Sequence, residues 1–159
     1  MNKFVDRTSS RFIRSTASGV VFMRGLERPT TVTTHQPFTA AGVHAFEVVM
    51  PVKDAKTAVG FMADPPTTSY MTPTYSSMPN YISMGGAGFV YPATRAGGSR
   101  YGQGDTIRVE LQLDASGQGV VRFSVNGQPA GEAEWALGPA AYPAISSEGG
   151  EVECRVTWG

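Results

Sequence analysis

Gly102 to Gly127 reads GQGDTIRVELQLDASGQGVVRFSVNG, and the remainder of the chain is read outward from it. Ile107, Val109, Leu111 and Leu113 alternate with Arg108, Glu110 and Gln112, so one face of an extended segment is apolar and the other polar. That period of two predicts a strand with one side buried. After Asp114-Ala115-Ser116-Gly117, a turn-forming cluster, Val121, Phe123 and Val125 repeat the pattern. Asn126-Gly127, the dipeptide that best tolerates positive φ, then closes a second hairpin. Two antiparallel strands and the start of a third follow from these residues alone.

The same turns and strands carry a resemblance. Gly104-Asp105-x-Ile107 leading to Leu113-Asp114, followed by Phe123-x-Val125-Asn126-Gly127, is similar to the central signature of SPRY domains (the B30.2/SPRY family, in its SPRY-only form). Gly42-Val43-His44-Ala45-Phe46-Glu47-Val48 resembles an upstream strand of that family, with Phe46 where Trp is usual. Val59-Gly60-Phe61 and Tyr142-Pro143-Ala144-Ile145-Ser146 resemble two further strands, in the family's order. The resemblance implies an all-β fold: a bent antiparallel two-sheet β-sandwich, a concanavalin A-like jelly roll, used as a protein- or peptide-binding module. It spans residues 17–158 of a single domain, 1–159, with 1–16 as an N-terminal strand or extension.

Composition agrees with one domain able to bury a substantial core, since the chain has 159 residues. Thirteen basic residues balance thirteen acidic ones, so no global field would draw the chain to nucleic acid or an anionic membrane. Arginines are dispersed, and aromatics do not interleave with a basic stripe. No apolar run approaches the ~20 residues of a membrane helix. Cys154 is the single cysteine, which leaves no intrachain disulfide and suits a reducing, intracellular and cytoplasmic setting. Nineteen glycines and eleven prolines, scattered along the chain, fit short strands with frequent turns. A monomer is expected.

The first residues admit two readings. Lys3, Arg7, Arg11 and Arg14 would share a helical face opposite Phe4, Val5 and Phe12, as in a mitochondrial transit peptide. The preferred reading makes Arg11 to Ser15 a strand before a Ser18-Gly19 turn. Further strands are expected at 20–23, 31–34, 43–50, 57–63, 81–84, 88–91, 142–146 and 151–158. Pro51 should end the long strand at 43–50, having no N–H for a ladder. Lys53 to Lys56 reads as a charged turn, and Trp135 to Ala141 as a connection with room for one helical turn. Residues 64–80, with four prolines, and 92–101 read as long loops.

Catalytic motifs are missing. There is no Gly-x-Ser-x-Gly elbow, His-Glu-x-x-His pair, P-loop or complete dinucleotide fingerprint, and Gly102-Gln103-Gly104 reads as a turn. His44 is expected to be packed and hydrogen-bonded, His35 solvated, Cys154 buried and inert, and Asp105 a turn-fixing carboxylate. No cofactor or metal is implied. Carbohydrate binding is the alternative function, since sandwiches of this shape also host lectins. No loop, though, carries the Asp and Asn cluster of a Ca²⁺-dependent lectin.

Recognition of a protein or short peptide is thus expected from loops at one edge of the sandwich, as in an adaptor. The candidate loops are 24–30, 64–80, 92–101 and 146–150. In SPRY adaptors that carry a SOCS box, a peptide-binding loop reads Arg-Arg-Pro-x-Ala. Glu27-Arg28-Pro29-Thr30-Thr31 is similar at Arg28 and Pro29, with the first charge reversed. The resemblance also places Tyr70 at the pocket and Gly149 where those adaptors have a Trp. With Arg95 and Glu148, these complete the expected partner-binding set.

Overall fold

A computed structural model describes residues 3–7, 10–25, 29–65, 80–91 and 100–159, together with the backbone of 95–96. Among them the chain is all strand and turn, with no helix. The strands are β1 (Phe4–Val5), β2 (Ile13–Thr16), β3 (Gly19–Phe22), β4 (Thr30–Thr34), β5 (Gly42–Lys53), β6 (Thr57–Met62) and β7 (Tyr81–Gly85). They continue with β8 (Phe89–Tyr91), β9 (Arg95–Ala96), β10 (Thr106–Leu113), β11 (Gly119–Val125), β12 (Gln128–Trp135), β13 (Tyr142–Ser147) and β14 (Val152–Trp158). One seven-stranded sheet has the order β1-β4-β13-β6-β7-β8-β9; the other runs β12-β11-β10-β5-β14-β3-β2. All recorded pairings are antiparallel.

The hairpin expected from residues 106–125 forms in the anticipated register, with Ile107 opposite Val125 and Val109 opposite Phe123. Its apolar faces meet the other sheet in one core that holds Phe46, Val48, Met50, Phe61, Ile107, Leu111, Phe123 and Trp135. Phe46 packs edge-on to Phe61 across the sandwich at 5.4 Å between ring centres. Asn126 takes φ 51° and Gly127 φ 82°, as the tight turn demands. Asp114 closes the first turn by accepting bonds from the Ser116 and Gln118 amides and the Ser116 hydroxyl.

Several expectations are corrected. β5 runs through Pro51 to Lys53 instead of stopping. The proline is harmless there because β10 leaves β5 at Val49 and the β14 ladder is irregular at that point. On β14 only Cys154 lies between Glu153 and Arg155, while their partners Val52 and Val49 are separated by Met50 and Pro51. This bulge shifts the alternation by one residue. Lys53, not Val52, therefore comes opposite the buried Val152, and it belongs to the strand rather than to the following turn.

The loop expected at 92–101 contains the short strand β9, which pairs Arg95 with Val90. No helical turn forms between Trp135 and Ala141; the Trp135 indole N–H instead donates to the Gly138 carbonyl, and Phe38 bridges to Ala141. At the N-terminus the strand begins at Ile13 rather than Arg11, and Phe4 is buried on β1 beside β4. Of the residues that could have formed a basic amphipathic helix, Phe4 and Val5 lie on β1 and Arg14 on β2, while Arg7, Arg11 and Phe12 are in turns.

Candidate functional site

Pairing of β4 with β13 places Thr30 opposite Ser147, so Pro29 and Glu148 are adjacent where the two strands end. Both are half-buried, as is Gly149. Neighbouring connections are tied into the same end. The Glu148 amide donates to the Lys56 carbonyl at 3.0 Å and the Asp54 amide to Glu151 at 2.8 Å. Arg24 reaches Asp54 at 2.8 Å, an exposed pair that locates two loops and adds little stability. The Gly104 amide donates to the Met50 carbonyl, and Gln103 Oε1 accepts from the Lys53 amide. Asp105 fixes the last turn as expected, accepting from the Gly102 amide and from Asn126 Nδ2. The Asn126 bond, then the Gly102 bond, hold its carboxyl below the usual carboxylate range.

Lys53 is the residue here that sequence reasoning missed. The bulge turns its ammonium inward over the Tyr101 ring, 5.8 Å from the ring centre. Burial lowers its pKa, and no ion pair joins it among the described residues. The signal that could have found it is Pro51 inside an otherwise strand-like run, since proline within a sheet favours edges and bulges.

Of the other expected residues, Glu27, Arg28 and Tyr70 lie outside the described residues. The anchors of the loop that carries Tyr70, Ala63 and Asn80, are bonded to each other at the opposite end of the sheet. Ala63 is seven residues along β6 from Lys56, a distance of about 23 Å at ~3.3 Å per residue. Arg95 is known through its backbone on β9. From Val32 the register passes through Ile145, Val59, Met84 and Val90 to Arg95. Those steps of about 4.8 Å place it roughly 24 Å across the sheet from β4. The structure thus joins Pro29, Glu148 and Gly149 and sets Arg95 apart.

The expected quiet residues behave as such. His44 stacks on Phe38 with ring centres 4.6 Å apart, and its Nε2 lies 2.6 Å from the Ala40 carbonyl. His35 is exposed. Cys154 is buried, and burial pushes its thiol far above the ordinary range, so the nucleophilic thiolate is suppressed. Among the described residues no group of three His, Cys, Asp or Glu could hold a metal ion.

Neither family sequence profiles nor curated protein sequences match the chain. Solved structures do. A human SPRY domain superposes with a TM-score of 0.73 at 16% identity, over 92% of this chain and 94% of that one. The SPRY domain of human HERC1 gives 0.70 at 16% identity, over 98% and 97%. The lumenal domain of VIP36, solved in a Ca²⁺/Man3GlcNAc-bound form, gives 0.54 at 8% identity, over 92% and 81%. The fold is that of SPRY domains, and the motifs that suggested it lie on strands in the expected order.

Proposed function

We propose that this chain is a non-catalytic recognition module that grips a protein or short peptide segment with the loops around Pro29, Glu148 and Gly149. The observation that carries the reading is the convergence at that end of loops from both sheets, cross-tied by backbone hydrogen bonds. A rigid frame that presents side chains from distant parts of the sequence suits selective binding, because little ordering cost is paid on association. The SPRY fold, commonly used for protein interactions, supports the same conclusion. Glu27 and Arg28 precede Pro29 in the same connection and belong to the proposed surface; Lys53 joins them. Arg95 is left out by its position, and Tyr70 lies outside the described residues. Carbohydrate binding rests on fold likeness to the VIP36 domain alone, which is a weak warrant.

The test is selection from a linear peptide display library on the whole chain, followed by binding of the enriched peptides to variants. Glu148→Lys, on a half-buried loop residue, should weaken binding at least tenfold with an unchanged thermal midpoint. Peptides that bind Glu148→Lys and Lys53→Gln as well as the parent would remove the site from this end. Retention on a glycan array, with release by free sugar, would replace the reading by a lectin.

A further inference from the structure

Lys53 ends β5, and its neighbours fix where its ammonium lies. On one flank its backbone pairs with Val152; on the other its amide donates to Gln103 Oε1. The side chain passes over the Tyr101 ring, with Nζ 5.8 Å from the ring centre. It also lies beside the turn between β7 and β8, since a Cβ added at Gly86 would stand 3.5 Å from Nζ. The turn that carries Glu148 and Gly149 is tied to this place from both sides. Before it, the Tyr101 hydroxyl donates to the Thr57 carbonyl at 3.0 Å, and Thr57 pairs with Ser147, the residue preceding Glu148. After it, the Glu151 carbonyl accepts from the amide of Asp54, next to Lys53.

The ammonium has no counter-charge. Among the described residues no carboxylate comes within ion-pair distance of it, Glu148 and Glu151 included. Asp54, its neighbour in sequence, is engaged by Arg24, and Asp105 by the Gly102 amide and Asn126. The face of the Tyr101 ring attracts a cation but offers no lone pair to the three N–H donors of an ammonium. Burial lowers the Lys53 pKa, the direction expected of a cation that has given up water without gaining a partner. The residue is half-buried, so a group from outside can still reach it.

We propose that Lys53 sets the specificity of the surface at Pro29, Glu148 and Gly149: the segment bound there carries an aspartate or glutamate whose carboxylate pairs with the Lys53 ammonium beside the Tyr101 ring. Lys53 thus names the chemistry of the occupant, an assignment that rests on the binding surface proposed above. An ammonium already partly dehydrated and held against a ring loses less water and less freedom on pairing than a fully solvated lysine. An amide in the same place gains little and leaves the charge covered and unpaired, and a basic residue is repelled. Glu148, on the neighbouring turn, sets the opposite preference. A single acid at a fixed place in the segment, rather than an acidic run, is what the surface selects.

The experiment sorts two linear peptide display libraries on the whole chain, identical except that Asn and Gln replace Asp and Glu in the second. Peptides from the first should share one acid at a constant position. Replacing that acid by its amide should weaken binding, read by fluorescence anisotropy, about tenfold or more. In Lys53→Gln the same replacement should change affinity by less than about twofold, the mark of a direct pair rather than of two separate losses. The thermal midpoint of Lys53→Gln checks folding, and Lys53→Met takes its place if the glutamine variant is unstable. Peptides that lose binding in Glu148→Lys but show no acid preference, or keep that preference in Lys53→Gln, would overturn this assignment and leave the binding surface standing. Peptides indifferent to both Glu148→Lys and Lys53→Gln would remove surface and assignment together, as would libraries that enrich nothing. An acid preference that emerges only in Glu27→Gln would also overturn it, because the chain's own Glu27 would then fill the place.

Discussion

Phe46→Ala is the sharpest test of the core. Phe46 is fully buried and touches three rings: Phe61 at 5.4 Å, Trp158 at 5.9 Å and Phe4 at 6.2 Å between centres. Phe46 and Trp158 stand on neighbouring strands, and Phe61 comes from the other sheet, so the cavity left behind would open where the sheets join. Truncating a buried phenylalanine costs about 3–5 kcal/mol. The lost ring contacts, ~0.5–1.5 kcal/mol each beyond area burial, push this site toward the upper end. In a domain of this size each kcal/mol lowers the melting temperature by about 2–4 °C, so the expected drop is roughly 6–20 °C. Calorimetry and urea unfolding on the parent, Phe46→Ala and Glu47→Ala measure it. Glu47 lies on the opposite face and should change stability by about 0.5 kcal/mol or less. If Phe46→Ala melted with the parent while Glu47→Ala did not, β5 would be out of register by one residue.

Gly60→Ala should be among the most damaging small substitutions. A Cβ there would run into the Ile82 carbonyl oxygen and come within 2.8 Å of Ser83 Cα, both backbone atoms of β7, so the urea midpoint should fall sharply; an unchanged midpoint would refute the close approach of β6 and β7. Asp105 and Asp114 both have lowered pKa values, Asp105 chiefly through Asn126 and Asp114 chiefly through the Ser116 side chain. A depressed carboxyl stabilises the fold above its unfolded value of about 3.9, and that contribution is lost as pH falls through the folded value. Asp105→Asn and Asp114→Asn should therefore be less stable than the parent at pH 7 and converge with it near pH 2; an equal gap at both pH values would show that the carboxylates are not the cause.

What could be read in the sequence depended on which faces are wet. β10 and β11 have one exposed side, so Ile107 to Leu113 and Val121 to Val125 alternate and reveal themselves. β6 and β7 are buried on both sides, from Thr57 to Met62 and from Tyr81 to Gly85. On their outer face Ala58, Met62 and Tyr81 form a second apolar cluster with Ala144 of β13, and a strand covered on both sides shows no alternation. Those strands were found through turn residues and the motif resemblance. Pro29 and Glu148 meet only because β4 pairs with β13, and periodicity says nothing about which strands pair across so much sequence.

The bulge in the β5–β14 ladder determines what β5 presents at the end of Pro29 and Glu148. β14 pairs with the Lys53 end of β5, where the bulge around Met50 and Pro51 turns Lys53 over the Tyr101 ring. Ten residues of extended chain separate Val43 from Lys53, about 33 Å at ~3.3 Å per residue. Between them run Phe46, Val48 and Met50, all fully buried, with Phe46 and Val48 paired on both flanks, to β10 and to β14. A close-packed strand of this kind does not have two easy arrangements to switch between, and coupling between distant sites needs such an element. Perturbations at Val43 and Glu148 share no partners and lie far beyond the 7–10 Å within which neighbouring sites interact, so their effects on stability should add within about 0.5 kcal/mol.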